Sequence, residues 1–123
     1  MQDVILYIWV RTDLASMTPG RVAAQVSHIT SIAHEHYKDD YYFTKWKKSG
    51  GVCGTVILLE APSGLCEVKE MYPSCFTFYD GTYPLQDGAV THLIGVETVA
   101  AYFVKKDSVE HNNIKETWNL YNG

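Results

Sequence analysis

The sequence lacks several features that would assign it to a particular class of protein. Its three cysteines, Cys53, Cys66 and Cys75, are an odd number without Cys-x-x-Cys spacing, which argues against a disulfide scaffold or a thiolate zinc site. No apolar run approaches the roughly 18 residues that a membrane helix needs. The acidic first residues do not resemble a secretory signal peptide. We therefore expect a cytoplasmic protein with reduced thiols and no membrane span.

Basic residues are also in short supply. Ten Lys and Arg stand against 14 Asp and Glu, which gives a formal net charge of -4. Because affinity for phosphates comes mainly from Lys and Arg, this balance argues against a surface that coats nucleic acid generally, although a local basic site is still allowed. Lys45, Lys47 and Lys48 cluster around Trp46, a pattern that is equally expected of a solvated helix end.

The chain does contain the elements of an α/β fold. Its 123 residues fit one domain, 1–123, with enough apolar side chains for a core of its own. The continuous apolar run Val4–Val10 is typical of a strand buried on both faces. Periodicity and turn signals predict further strands at 55–59, 75–79 and 98–104, and helices at 21–37, 41–48, 63–71 and 109–120. The order β-α-α-β-α-β-β-α predicts a four-stranded mixed sheet with helices on both faces, its last two strands joined by a long loop.

The first candidate site begins where the first helix begins. Thr18 and Pro19 form a typical helix start, and on this helix Arg21, Gln25 and His28 share one face because they are spaced i, i+4 and i+7. A cation, an amide and an imidazole at the carboxyl end of a buried strand suit a phosphate or a carbonyl oxygen. From spacing alone, a solvated polar face is the competing interpretation.

The second candidate site is the polar segment 86–99, which we expect to be a loop before the last strand. Asp87, Thr91 and Thr98 carry the oxygen atoms that would converge with the first segment. The competing interpretation is turn chemistry, in which Asp87 and Gly88 only form a tight turn.

At these two segments the sequence resembles the class 2 (archaeal/eukaryotic-type) peptidyl-tRNA hydrolase family. In that family the first strand ends in an Arg-x-Asp-Leu motif, which residues 11–14 match. The first helix then begins with Met-x-x-Gly-Lys followed by hydrophobic-Ala-Ala-Gln, which residues 17–25 match, with Ser27 and His28 after them. Its later Asp-Ala-Gly-x-Thr-Gln-Ile motif is similar to residues 87–93, and its Gly and Thr-Val are similar to Gly95 and residues 98–99.

The resemblance implies an enzyme that hydrolyses the ester between a peptide and the terminal ribose of tRNA, with peptidyl-tRNA as its partner and without metal or cofactor. It implies Arg21, Asp87, Thr91 and Thr98 as catalytic residues. The substrate-binding residues would be Arg11, Gln25, His28 and His92. A homodimer is compatible with the resemblance.

The chain departs from the family pattern at several of these positions. Arg21 replaces the family lysine, His92 replaces a glutamine, and Gly88-Ala89 reverses the Ala-Gly pair. A guanidinium stays charged, so it is suited to an oxyanion or a phosphate but not to proton transfer. These departures support an alternative, a catalytically inactive module of the same fold that binds tRNA or a protein partner. A phosphate or nucleotide binder using the helix start ranks last, since no glycine-rich phosphate motif is present.

Overall fold

The computed structural model describes residues 3–49, 51 and 53–123. The element order confirms the predicted β-α-α-β-α-β-β-α arrangement. The elements are β1 (Val4–Val10), α1 (Pro19–His36), α2 (Tyr41–Lys48), β2 (Thr55–Glu60), α3 (Cys66–Met71), β3 (Phe76–Asp87), β4 (Val90–Lys105) and α4 (Val109–Thr117).

The four strands form one mixed sheet in the order β2-β1-β4-β3. β1 pairs with β2 in parallel and with β4 in antiparallel fashion, and β3 pairs antiparallel with β4. All seven residues of β1 are buried, because a central strand has neighbours on both edges and helices over both faces. The prediction from this apolar run, a strand buried on both faces, is confirmed.

Helices cover both faces, as predicted. On the first face, which we call the α1 side, the core joins alternate β1 side chains such as Leu6 and Ile8 to Ile29 of α1 and Trp46 of α2. On the second face, the α4 side, Tyr7 and Trp9 pack with Val68 of α3 and Ile114 of α4. The alternation follows from the period of two in a strand.

Local signals define most helix ends. Thr18 caps α1, with its Oγ1 accepting a hydrogen bond from Arg21 N, and Ser108 caps α4 in the same way through His111 N. Two predicted boundaries were wrong. α3 begins only at Cys66, because residues 61–64 form a turn closed by Gly64 N–H on Ala61 O. α4 ends at Thr117, after which Leu120 forms an antiparallel bridge with Leu59.

The prediction of a long loop before the last strand was also wrong, and over more residues. Residues 76–105 form a long β-hairpin whose strands continue to Asp87 and from Val90, joined by a tight turn in which Gly88 has φ +61°. That φ lies in the left-handed region that glycine adopts without strain. The polar residues of this segment were typical of a loop because the far part of the hairpin is largely solvent-exposed, so no apolar alternation marks it as a strand.

Two register irregularities interrupt the base of the hairpin. The partner of Phe78 is Val99 but the partner of Tyr79 is Glu97, so Thr98 is an extra residue on β4. A second shift lies between Asp80 and Tyr83 on β3. Bulges of this kind bend strands and redirect side chains, and both lie where the hairpin passes the beginning of α1.

Candidate active site

The candidate site lies where β1 ends, α1 begins and the base of the hairpin crosses them. The connection between β1 and α1 is held against the hairpin by hydrogen bonds. Arg11 N donates to Thr98 O (3.1 Å), and Gln86 N donates to Ser16 Oγ (2.6 Å). The two segments that the sequence indicated are therefore in contact at their bases.

Gln25 is the centre of the polar network. Its side chain is buried, at 4% exposure, in the α1 row that also contains Val22 and Ile29. Its Oε1 accepts a hydrogen bond from Thr98 Oγ1 (2.6 Å), and its Nε2 donates to Asp80 Oδ2 (2.9 Å). Because the amide must offer oxygen to a hydroxyl and nitrogen to a carboxylate, these two bonds determine its orientation.

The β4 bulge brings Thr98 into this network. Neighbouring residues of a regular strand point to opposite faces, but Val99 packs in the α1-side core while Thr98, fully buried, also bonds to Gln25 of α1. Glu97 takes the opposite direction: its carboxylate accepts from Lys69 of α3 (2.7 Å) and from Thr77 (2.5 Å). The extra residue thus separates a hydroxyl on the α1 side from a carboxylate on the other.

Asp80 was not predicted as a site residue. Its half-buried carboxylate accepts from Gln25 Nε2 through Oδ2 and from Thr82 N–H through Oδ1 (3.0 Å). The sequence signal at this position, Asp80-Gly81, indicated only a turn. The register shift after Asp80 brings its carboxylate to Gln25, but no sequence pattern predicts such a shift.

Arg21 lies in the first turn of α1, near the same region. Its Nη1 donates to the carbonyl oxygen of Ser16 (2.7 Å). Ser16 is buried, and its hydroxyl receives the Gln86 N–H of the hairpin. One residue thereby positions both the guanidinium and the hairpin, which brings Arg21 beside the β3 strand.

The buried Tyr83 shows how the charged groups are grouped. Burial raises the pKa of its phenol, while the charges of Arg21 and Arg11 lower it and those of Asp80 and Asp13 oppose them. Its hydroxyl points to Met17 Sδ (3.8 Å). Arg21 and Asp80 are therefore both close to the Tyr83 phenol. The positive charge of Arg21 lowers its pKa and the negative charge of Asp80 raises it.

Arg11, a predicted substrate-binding residue, has a carboxylate partner. Its Nη2 and Nε donate to the two carboxylate oxygens of Asp13 (2.6 and 3.1 Å), and its Nη1 donates to Glu97 O (3.3 Å). The hydrogen bonds that Arg11 donates to Asp13 raise the pKa of the guanidinium above its usual value. This side chain ties the end of β1 to the hairpin, so part of its donor set is already occupied.

The remaining predicted residues lie further out. His28 is exposed and its ring lies on Phe78, with centroids 4.9 Å apart. Asp87, Thr91 and His92 are exposed at the tip of the hairpin. The hydrogen bonds of the tip come from Gln86, whose Nε2 donates to Gly88 O and whose Oε1 accepts from Thr91 Oγ1. Arg21, Gln25 and Thr98 are thus brought together with Asp80, whereas the Asp87 side chain lies at the turn.

The described part of the chain offers neither a metal site nor a membrane-spanning helix. Among residues 3–49, 51 and 53–123, no group of three His, Cys, Asp or Glu side chains is arranged to hold a metal ion. Within the same part of the chain, no helix is both long and apolar enough to cross a membrane.

Comparison with known proteins adds one match. The family model described as peptidyl-tRNA hydrolase PTH2 matches residues 4–74, which is more than half of the 123 residues. The matched part contains β1, α1, α2, β2 and α3, and with them Arg11, Arg21, Gln25 and His28. It ends before the hairpin. No curated protein matches the chain significantly.

Proposed function

Since this chain belongs to the peptidyl-tRNA hydrolase PTH2 family, we propose that it hydrolyses the ester bond between the peptide and the terminal ribose of peptidyl-tRNA. The reaction transfers an acyl group to water. It needs an oriented water molecule, a group that accepts the water's proton, and donors for the oxygen that becomes negative. The observation that supports the proposal is the Thr98–Gln25–Asp80 network beside Arg21.

In our proposal the Asp80 carboxylate orients the attacking water and accepts its proton. It is half-buried, and Gln25 and Thr82 hold both of its oxygens by hydrogen bonds. Each oxygen retains lone pairs for a further donor. Thr98 acts through Gln25, because its hydroxyl fixes the amide that in turn fixes the carboxylate.

Arg21 would supply the positive charge. Its guanidinium is oriented through Nη1 by Ser16 O, and it has further N–H donors for an oxyanion or a phosphate. Because it does not lose its proton, Arg21 cannot share the work of proton transfer. We therefore propose that acid–base chemistry depends on the carboxylate and that Arg21 acts electrostatically.

The hairpin tip would contact the bound substrate. Asp87, Thr91 and His92 are exposed there, and in this proposal Arg11 at the end of β1 and the exposed His28 of α1 contact the substrate as well. That Asp87 supplies the catalytic carboxylate stays a prediction. We favour Asp80 because it is bonded to Gln25, whereas the neighbours of Asp87 bond to one another across the turn.

The alternative function is a binding module without catalysis. It is favoured by Arg21, which stands where the family pattern has lysine, and by the Asp13 carboxylate that occupies Arg11. Such a module would bind tRNA through the same surface but release no peptide.

The deciding experiment measures release of N-acetyl-aminoacid from N-acetyl-aminoacyl-tRNA by the purified protein. We expect Asp80→Asn to lower kcat/KM by about 100-fold or more, Asp87→Asn to change it little, and Arg21→Lys to retain or raise it. Thermal unfolding of each variant controls for folding.

Each alternative has its own outcome in that assay. A large loss in Asp87→Asn with little change in Asp80→Asn would transfer the catalytic role to the hairpin tip. Absence of release by the wild type at high protein concentration, together with binding of uncharged tRNA, would establish the binding module instead.

Three wider properties belong to the same proposal. We propose that residues 1–123 act as one domain, since β3 and β4 complete the sheet that the family-matched part begins. The substrate arises at the ribosome, so we place the protein in the cytoplasm. No step of the proposed reaction is assigned to a metal ion, and a homodimer remains an expectation from the family.

A further inference from the structure

The outward surface of α2 is a local exception to the acidic character of the chain. This helix, Tyr41–Lys48, contains Lys45, Lys47 and Lys48 and no acidic residue, although the whole chain has a net charge of -4. In the described part of the chain the ion pairs are Arg11–Asp13 and Lys69–Glu97. Neither involves α2, so its lysines keep their charge uncompensated by a contacting carboxylate.

The helix is anchored so that this surface is held in place. Phe43 and Trp46 are buried on its inner side, and Trp46 Nε1 donates to Thr55 O (2.8 Å). The indole lies so close to Gly54 that a Cβ there would be 2.3 Å from the ring. Because its inner side is packed into the core, α2 holds its outer side chains in a defined position on the surface.

The outer side combines cations with aromatic hydroxyls. Lys47 and Lys48 are exposed, Tyr41 and Tyr42 are 67% and 44% exposed, and Lys45 Nζ lies 5.5 Å from the centroid of the Tyr41 ring. Lysine ammonium groups and tyrosine hydroxyls are among the donors that bind nucleic-acid backbones. We call these five residues the α2 surface.

The α2 surface and the candidate active site share one side of the sheet but lie at its opposite ends. Ser49, directly after α2, accepts a hydrogen bond from Val4 N at the beginning of β1, whereas Arg11 follows the end of that strand. β1 has seven residues, so about 20 Å separates its two ends. α1 runs alongside over a similar length.

We propose that the α2 surface binds backbone phosphates of the tRNA acceptor stem while the ester lies at the candidate active site. The inference rests on the proposed function. Several unpaired nucleotides separate the ester from the first base-paired phosphates of a tRNA, so the surface that holds the stem must lie away from the reacting bond. The rim of the site is less suited to this task, because Arg11 is already paired with Asp13 and Arg21 is assigned to the reacting ester.

The competing explanation is local, since lysines in the last turn of a helix interact favourably with its dipole. It predicts that removing them alters the stability of α2 without affecting RNA binding. The test compares Lys47→Gln/Lys48→Gln with a control of equal charge change, Lys106→Gln/Lys115→Gln, which removes cations beside and within α4. All four side chains are exposed.

Two measurements are made on each variant: affinity for uncharged tRNA over a range of salt concentrations, and hydrolysis of both N-acetyl-aminoacyl-tRNA and the same ester on a CCA trinucleotide. We expect the α2 variant to bind tRNA about tenfold more weakly at low salt, with a salt slope reduced by about 1–2. Its hydrolysis of the trinucleotide ester should match that of the wild type, and the control variant should resemble the wild type throughout.

The outcomes separate this inference from the proposed function. Equal losses in the α2 and control variants, or no loss in either, would overturn the α2 surface even if the protein is an active hydrolase. Wild-type protein that binds tRNA through α2 but cleaves neither ester would overturn the hydrolase function and leave the α2 surface standing. Charge reversal in Lys47→Glu/Lys48→Glu should deepen the loss of tRNA affinity.

Discussion

The two sides of the sheet have different cores. On the α1 side, apolar side chains from β1, α1 and α2 surround a buried polar pair, Gln25 and Thr98, which reaches Asp80. On the α4 side the core is aromatic and contains its own polar bonds: Trp118 Nε1 donates to Tyr72 Oη (3.1 Å), which donates to Asn113 Oδ1 (2.6 Å).

This difference separates chemistry from stability. On the α1 side the Gln25–Thr98 pair leads outward to Asp80 of the hairpin, where we propose that the substrate binds. On the α4 side the Trp118–Tyr72–Asn113 bonds lie in the core and at the α4 boundary, and the buried Trp9 Nε1–H has no hydrogen-bond partner in the described part of the chain. We therefore expect substitutions on the α1 side to alter hydrolysis and stability together, and substitutions on the α4 side to alter stability alone.

Among the substitutions that compare the two sides, the largest effect is expected when the α1-side network loses its central residue. Gln25→Met keeps the length of the side chain but removes both hydrogen bonds, leaving Thr98 and Asp80 without that partner. We expect kcat/KM to fall by about 10- to 100-fold, because the carboxylate is no longer positioned, and the free energy of unfolding to fall by about 1–3 kcal/mol. Urea denaturation and the hydrolysis assay measure the two effects. An unchanged rate would show that Gln25 has only a structural role.

An intermediate effect is expected from the corresponding substitution on the α4 side, which removes the hydrogen bonds of Tyr72. Tyr72→Phe removes the hydroxyl that accepts from Trp118 and donates to Asn113, so a largely buried indole N–H loses its partner. The free energy of unfolding should fall by about 1–3 kcal/mol, with kcat/KM unchanged at temperatures well below unfolding. The comparison of the two sides fails if hydrolysis drops as it does in Gln25→Met.

Tyr102→Phe is the control for that substitution. Burial, together with a hydrogen bond to Glu110, raises the pKa of Tyr102 to about 12. Its hydroxyl donates to a carboxylate that is exposed. Removing it leaves a group that water can solvate, so the loss of stability should be smaller than in Tyr72→Phe.

The smallest effect concerns pH. Burial, and then the nearby Lys115, lower the pKa of His111, with Asp107 opposing them, and His111 Nδ1 accepts the Asp107 N–H (2.9 Å). Because the folded pKa is below that of the unfolded chain, the unfolded state binds more protons between the two values. Stability is therefore unaffected by this group above about pH 6.5 and decreases as the pH falls below that value.

Urea denaturation at several pH values tests this account of His111. Between pH 7.5 and 5 the wild type should lose more stability than His111→Gln, while kcat/KM measured on the folded protein should show no matching change. A steeper loss in the variant than in the wild type would contradict the assignment.

Prediction from the sequence was accurate where burial produces a pattern. The seven apolar residues of β1 predicted a strand buried on both faces, and the caps Thr18 and Ser108 marked the beginnings of α1 and α4. It was inaccurate in the hairpin. Residues such as Thr91 and His92 are exposed there, so the strand shows no alternation of apolar and polar residues. The resemblance named Arg21, Gln25 and Thr98 as candidate site residues, which stays a prediction, and no pattern indicated Asp80.

The sequence alone determined the class of fold, the order of its elements and the helix that presents Arg21 and Gln25, because these depend on local periodicity and capping. The tertiary structure decided which carboxylate meets Gln25. That choice depends on two register irregularities in the hairpin. The extra residue on β4 turns Thr98 towards Gln25 of α1, and the irregularity on β3 follows Asp80, which bonds to the same Gln25. Strand register is a property of paired strands, and neither strand encodes it separately.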